Sequence, residues 1–192
     1  MDKALVSVCL GIGLAAACGF RIFLPFLVMS LAAKAGYLTL TGSFAWIGST
    51  PALIVFAVAT GLEIAAYYIP WLDHFLDTLA APVAIAAGVI ATASVATGMD
   101  PMLKWSLAVI AGGGAAGAMH GLTSVLRGAS TLATGGLANF LLATGEALVS
   151  FLLSATAIVL GPIVVVVAAV LGLWLLVRWL RGRRQPAGPA PA

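Results

Sequence analysis

Long apolar runs, separated by short polar or proline-bearing breaks, fill the chain from residue 4 to residue 180. Six can be marked, at 4–33, 51–69, 79–98, 103–119, 131–160 and 162–180. Inside them the apolar residues are continuous, with no alternation of period two, which predicts helices rather than strands. About twenty apolar residues cross a hydrocarbon core of about 30 Å as one helix. The pattern therefore predicts an all-α, polytopic transmembrane bundle of about six spans. The first and fifth runs exceed one crossing and are expected to be tilted, broken or partly interfacial. Ser49, Thr50 and Pro51 make a helix start, with a capping hydroxyl and a proline in the first turn. Pro70, Asp100 with Pro101, and Gly161 with Pro162 mark later boundaries. Residues 71–78 read as a short amphipathic interfacial helix. One transmembrane domain over 1–184 and a disordered Pro/Ala/Gly tail over 185–192 complete the expectation.

Composition agrees. Hydrophobic residues make up 62% of the chain, charged residues 8%, and mean hydropathy is +1.16. Soluble domains carry about 25% charged residues, so this chain lacks the means to cover a water-facing surface. The net charge of +3 is not a nucleic-acid signal, because four of the nine basic residues, Arg178, Arg181, Arg183 and Arg184, cluster after the last apolar run. That is the usual place of a cytoplasmic membrane anchor. The expected partner is the lipid bilayer. With the tail inside, six spans place the N-terminus inside as well. Lys3, Arg127 and the tail arginines then face the cytoplasm, and Lys34 and Lys104 lie outside. Cys9 and Cys18 have no metal or redox spacing and read as small packing residues. Ala15 to Gly19 only approximates a lipoprotein signal, and the chain stays apolar beyond it, so an uncleaved first helix is expected.

Two patterns suggest internal organisation. Ala59, Thr60, Gly61, Leu62 and Glu63 resemble Ala143, Thr144, Gly145 and Glu146, and Pro82 and Pro162 follow at comparable distances. Two three-helix halves, 4–98 and 103–180, would then form inverted repeats, an architecture shared by many secondary transporters. Gly113, Gly117 and Gly121, with Gly112 and Gly114, form a small-residue face, as do Gly11, Ala15 and Gly19. Such faces let helix backbones approach closely in lipid, within the chain or in a homo-oligomer.

The few ionisable groups are the candidates for chemistry. An ionised side chain at mid-bilayer costs at least about 2.5–3.5 kcal/mol, so Arg21, Glu63 and Glu146 should face the interior. They read as an internal ion pair, for example Arg21 with one glutamate, or as a proton or cation relay along a substrate path. Asp73 and Asp77 share a helix face, with His74 three residues from Asp77. That spacing suits a divalent metal and equally suits a solvated interfacial turn. Six spans make the 70–78 and His120–Arg127 connections cytoplasmic. Glu63, Asp73, His74, Asp77, His120, Arg127, Asn139 and Glu146 would then share one depth.

The segment from Glu63 through Ile69, Pro70, Asp73 and His74 to Asp77 resembles the E-x-x-A-x-x-I-P-x-x-D-H-x-x-D stretch of a bacterial membrane-protein family known as domain of unknown function 4126. His120 with Gly121, the Ser/Thr-rich stretch after Arg127, Asn139 before Gly145 and Glu146, and Ala17 to Phe20 are similar to other parts of it, over roughly residues 10–175. Many members carry Asn at the position of Arg21, so the resemblance assigns Arg21 no role. It implies a bacterial cytoplasmic-membrane protein and supplies no activity.

Three functions follow as expectations. The first is a small proton- or cation-coupled carrier using Glu63 and Glu146, with Arg21, Arg127 and Asn139 as further ion- or substrate-binding candidates. The second is a scaffold or assembly subunit. The third is a metal-dependent intramembrane enzyme acting on a lipid, with Asp73, His74, Asp77 and His120 as ligands and a glutamate as base. No phosphate loop, dinucleotide fingerprint or haem-attachment motif occurs.

Overall fold

The computed structural model describes residues 3–66, 70–135 and 138–161 with positions 170, 174 and 178; for Lys3 and 70–78 it describes the backbone alone. All regular structure among these residues is helical. The α-helices are α1 (Lys3–Phe20), α2 (Phe23–Lys34), α3 (Thr50–Ala66), α4 (Pro70–Val95), α5 (Pro101–Leu107), α6 (Gly114–Thr134) and α7 (Asn139–Leu160). A 3-10 helix, Gly42–Gly48, precedes α3 with a bend of 64°, and a π-helical turn, Ala108–Gly113, joins α5 to α6 without a break.

The first apolar run is two helices, not one span. Side-chain partners give their directions. Ser7 meets Thr97 at 3.3 Å, and Thr92 donates to the Gly11 carbonyl at 3.1 Å, so α1 and α4 are antiparallel. Ser150 donates to the Ala17 carbonyl and Arg21 to that of Ala143, so α7 also runs against α1. The chain then turns at Arg21 and Ile22. The start of α2 meets Glu63 near the end of α3, and Lys34 reaches Thr50 at the start of α3. Beyond α2, the Thr41 amide donates to the Ser94 carbonyl, near the Ser7–Thr97 contact. Helices α1 and α2 therefore form a hairpin. Its tip, Arg21, lies at the far end of the bundle from the start of α1.

Two further boundaries differ from expectation. Residues 71–78 are the first turns of α4, continuous through Pro82, rather than a separate interfacial helix. Surrounding protein and side chains re-satisfy backbone groups freed by a membrane-helix proline. Residues 120–127 are mid-helix rather than a connection, because Gly121 and Gly128 alone do not stop a helix. The helical stretch Pro101–Thr134 ends at Gly135, whose φ of +63° favours glycine, so residues 131–134 of the expected fifth run belong to α6.

Among the described residues, two helices, Pro101–Thr134 and Asn139–Leu160, are long and apolar enough to cross a membrane, or three if the bent pair Gly42–Gly48 and Thr50–Ala66 counts as one. Shorter apolar helices, Ala4–Phe20, Phe23–Lys34 and Leu79–Val95, pack among them. The described residues do not establish six spans, and the last expected run, 162–180, lies largely outside them. The repeat finds no support either: Glu63 is in the last turn of α3, whereas Glu146 lies in the first half of α7.

Small residues make the central contacts. Thr92 wedges between Gly11 of α1 and Gly112 of the π turn. A Cβ on Gly88 would lie 2.5 Å from the Ala116 Cβ and 2.7 Å from the Gly112 carbonyl oxygen. Gly19 lies against Ala116 and Met119, and Gly13 against Ala157. With no hydrophobic force between helices in lipid, such close backbone approach supplies the packing. Gly121 and Gly114 face open space instead.

The hairpin makes a labelling prediction. With Cys9 and Cys18 replaced by Ala, single cysteines at Ala4, Tyr37 and Gly98 should react with an impermeant maleimide from one side of the membrane. A cysteine at Gly135 should react from the other. Reaction of positions 4 and 37 from opposite sides would instead restore a single first span.

Candidate functional site

Four charged side chains meet at the hairpin tip. Arg21 directly follows α1, is 1% exposed, and donates through Nη2 to the Ala143 carbonyl at 2.6 Å. The same Nη2 lies 3.5 Å from Oε2 of Glu146. Glu146, 8% exposed, comes from the inward face of α7, which also carries Ala143, Ser150 and Ser154. Arg127, on the buried face of α6, grips Glu146 with both prongs: Nε donates to Oε1 at 3.0 Å and Nη2 to Oε2. This fork-to-fork geometry is the strongest form of a charged hydrogen bond.

Glu63 does something different. Its Oε1 accepts the Ile22 amide at 2.7 Å and its Oε2 the Phe23 amide at 3.0 Å. These N–H groups open α2, where no residue upstream in a continuous helix can accept from them. The Ile22 side chain has no cap to offer, so a carboxylate from α3 caps α2 across space. The positive end of the α2 dipole adds to the interaction. Arg21, Glu146 and Cys18 lie close enough to Glu63 to interact electrostatically with it. Two arginines and two glutamates leave this cluster formally neutral.

Of the residues expected to share a depth, Glu63, Arg127 and Glu146 gather here around Arg21. Asn139 sits two turns before Glu146 and donates to Thr131 at 3.2 Å, forming a second polar tie between α6 and α7. His120 lies two turns before Arg127, where Ser124 is its side-chain neighbour at 3.5 Å. The side chains of Asp73, His74 and Asp77 lie outside the described residues. Among the described residues, no three His, Cys, Asp or Glu side chains gather in a way that could hold a metal ion.

A cleft of about 300 Å³ has Arg21 among its lining residues. Leu24 of α2, Ile64 of α3, and Ala143, Thr144, Ala147, Leu148 and Phe151 of α7 line it. Its walls are apolar except for Arg21 and Thr144. Nothing in the linear pattern marks this cleft, since it depends on α2 folding back beside α7.

The family model described as Domain of unknown function (DUF4126) matches residues 8–182. The chain belongs to this family. No curated protein and no solved structure matches it. Family membership and apolar helices together mark a membrane protein, as the acidic-His motif suggested.

The pairing predicts an asymmetric response to substitution. Glu146→Ala leaves two buried guanidiniums facing each other and should cost about 3–5 kcal/mol, the usual effect of removing one partner of a buried pair. The double variant Arg127→Ala/Glu146→Ala should recover part of that loss. Equal stability of the single variant and the unmodified protein, by thermal unfolding in detergent, would contradict the pairing.

Proposed function

We propose that the protein is a small multi-pass carrier of the bacterial cytoplasmic membrane, coupled to a proton or cation, with its polar site in the cytoplasmic half. One observation carries the reading: Glu63 holds the start of α2 with both carboxylate oxygens across a helix break. Discontinuous membrane helices with exposed N-termini are the recurrent ion- and substrate-binding elements of secondary transporters. A carboxylate accepts two amides well only while ionised. Protonation places an O–H on one oxygen and removes the attraction to the helix dipole, which frees the tip of the hairpin. Glu63 is thus the coupling group, and the Arg127–Glu146 pair is the fixed wall against which α2 moves.

Orientation belongs to this proposal: the tail arginines, Arg178, Arg181, Arg183 and Arg184, face the cytoplasm by the positive-inside rule.

A second reading, an assembly subunit whose charges fix helix packing, draws on the complete pairing of Glu146. Proteoliposomes holding an internal pH dye separate the two. A panel of small solutes is added under an imposed proton gradient. At least one solute should accelerate proton movement with the unmodified protein, and Glu63→Gln should lower that rate at least tenfold while remaining folded. Solute-driven proton movement unaffected by Glu63→Gln would end the carrier reading. Under the assembly reading, the swapped pair Arg127→Glu/Glu146→Arg would restore stability and full function together.

A further inference from the structure

We infer that the seam between α2 and α3 takes up water at the Thr60 and Ser30 hydroxyls and carries protons between Glu63 and the Lys34–Thr50 end of the bundle. Use of this route for transport rests on the carrier reading above, whereas its hydration is measurable without it.

Register places both hydroxyls in the seam. Glu63 meets Ile22 and Phe23, the Phe26 ring stacks on Phe56 at 5.4 Å, and Lys34 meets Thr50. On α2, Ser30 is one turn from Phe26 and one turn from Lys34, so it belongs to the stripe that faces α3. On α3, Thr60 is one turn from Phe56 and one from Glu63, and Ala52, Phe56 and Thr60 are the buried residues of that helix. The two helices are antiparallel. Thr60 therefore lies on the Glu63 side of the stacked rings, and Ser30 on the Lys34 side.

Neither hydroxyl has a partner. Ser30 is 0% exposed and Thr60 5%, and neither side-chain oxygen makes a hydrogen bond. A hydroxyl within a helix can bond to the carbonyl one turn back. Thr144, Ser154 and Thr156 of α7 do so, on Phe140, Ser150 and Leu152. Ser30 and Thr60 make no such bond, although both sit in the same kind of helix. A buried unpaired hydroxyl costs free energy, and ordered water is its usual partner where no protein group serves.

Water at these two points gives a coupling carboxylate its exit. Glu63 holds α2 fully only while ionised, so a proton that it accepts must leave again. The protonated carboxyl passes its proton to water at Thr60 and returns to a carboxylate. Each water or hydroxyl beyond accepts one proton and releases another, so only the proton moves. The other groups facing Glu63 are Arg21, Glu146 and Cys18. The first two are ion-paired and the third is a buried thiol, so none of them leads away from the cluster. The stacked Phe26 and Phe56 rings separate the two water sites and hold the route closed until one ring turns.

The test begins with water as the probe. X-ray radiolysis of the full chain in detergent makes hydroxyl radicals from water, which oxidise the side chains lying against it. Phe26 and Phe56, both buried, should be oxidised, and their oxidation should fall at least threefold in Ser30→Ala/Thr60→Val. Ser154→Ala, which removes a hydroxyl bonded to its own helix, should leave ring oxidation unchanged. The double variant should unfold at the same temperature as the unmodified protein or higher, because each substitution removes an unpaired group. Ring oxidation unchanged in the double variant, or a clearly lower unfolding temperature, overturns the inference. In the proteoliposome assay, Ser30→Ala and Thr60→Val should each slow solute-driven proton movement at least tenfold, and Thr60→Ser should keep it. Proton movement unchanged in both variants, with Glu63→Gln still slow, would overturn this inference and leave the carrier reading standing. Water-dependent ring oxidation with no solute-driven proton movement would defeat the carrier reading and leave the hydrated seam.

Discussion

A helix that breaks within a bilayer leaves backbone N–H groups that lipid cannot satisfy, each at a cost of several kcal/mol. This chain breaks its first helix at Arg21 and answers with one carboxylate, Glu63, from a helix about forty residues away. Much of the bundle follows from that contact. Capped at its tip, α2 can run back along α3 and place Phe26 in a stack with Phe56 of α3. Leu38 and Ile47 then close the core beside Leu14 and Val95. Helix α3 runs against α2, and α4 and α7 run against α1. Without the cap, the tip would have to fray into lipid or straighten into one overlong span.

A buried carboxylate needs its charge answered, and a second pair close by does so. Arg21 stands between Glu63 and Glu146, and Arg127 completes the set. Burying four charges repays its desolvation only where each finds a partner. Elsewhere the bundle avoids the problem with glycine and alanine. Gly11, Gly88 and Gly112 bring α1, α4 and the π turn to backbone contact around Thr92. Tight apolar packing at the centre and a neutral charge cluster at one end divide the molecule into a fixed part and a part held by polar contacts.

How much of this was legible depends on how far each feature reaches. The helical class and the membrane setting are properties of composition, and any window of the chain displays them. The excess length of 4–33 announced a break, because thirty apolar residues overshoot one crossing. It did not announce a hairpin, because the turn at Arg21 carries neither Gly nor Pro at its tip. Residues 120–127 were misread as a connection for a related reason. His120, Thr123, Ser124 and Arg127 lower the local hydropathy, yet they are the polar side of an amphipathic helix with nothing to stop it. Singling out Arg21, Glu63 and Glu146 needed only the cost of burying charge. Pairing them needed the fold: the sequence allowed Arg21 either glutamate, and nothing local says that Glu63 reaches amides while Glu146 receives two arginines.

That difference in partners decides which carboxylate can change its charge. Removing the charge of Glu146 would leave two buried guanidiniums with only a neutral group between them. The Coulomb penalty in a low-dielectric interior makes that state expensive. Protonating Glu63 leaves two neutral amides facing a carboxyl group whose carbonyl oxygen still accepts from one of them. The lost stabilisation is then a dipole interaction and part of one hydrogen bond, about 1–3 kcal/mol. A cost of that size is within the range by which ligands shift protein equilibria. The two glutamates look alike in the sequence, but one is tied to charges and the other to a helix end. Only the second tie can be released and remade without unfolding the cluster.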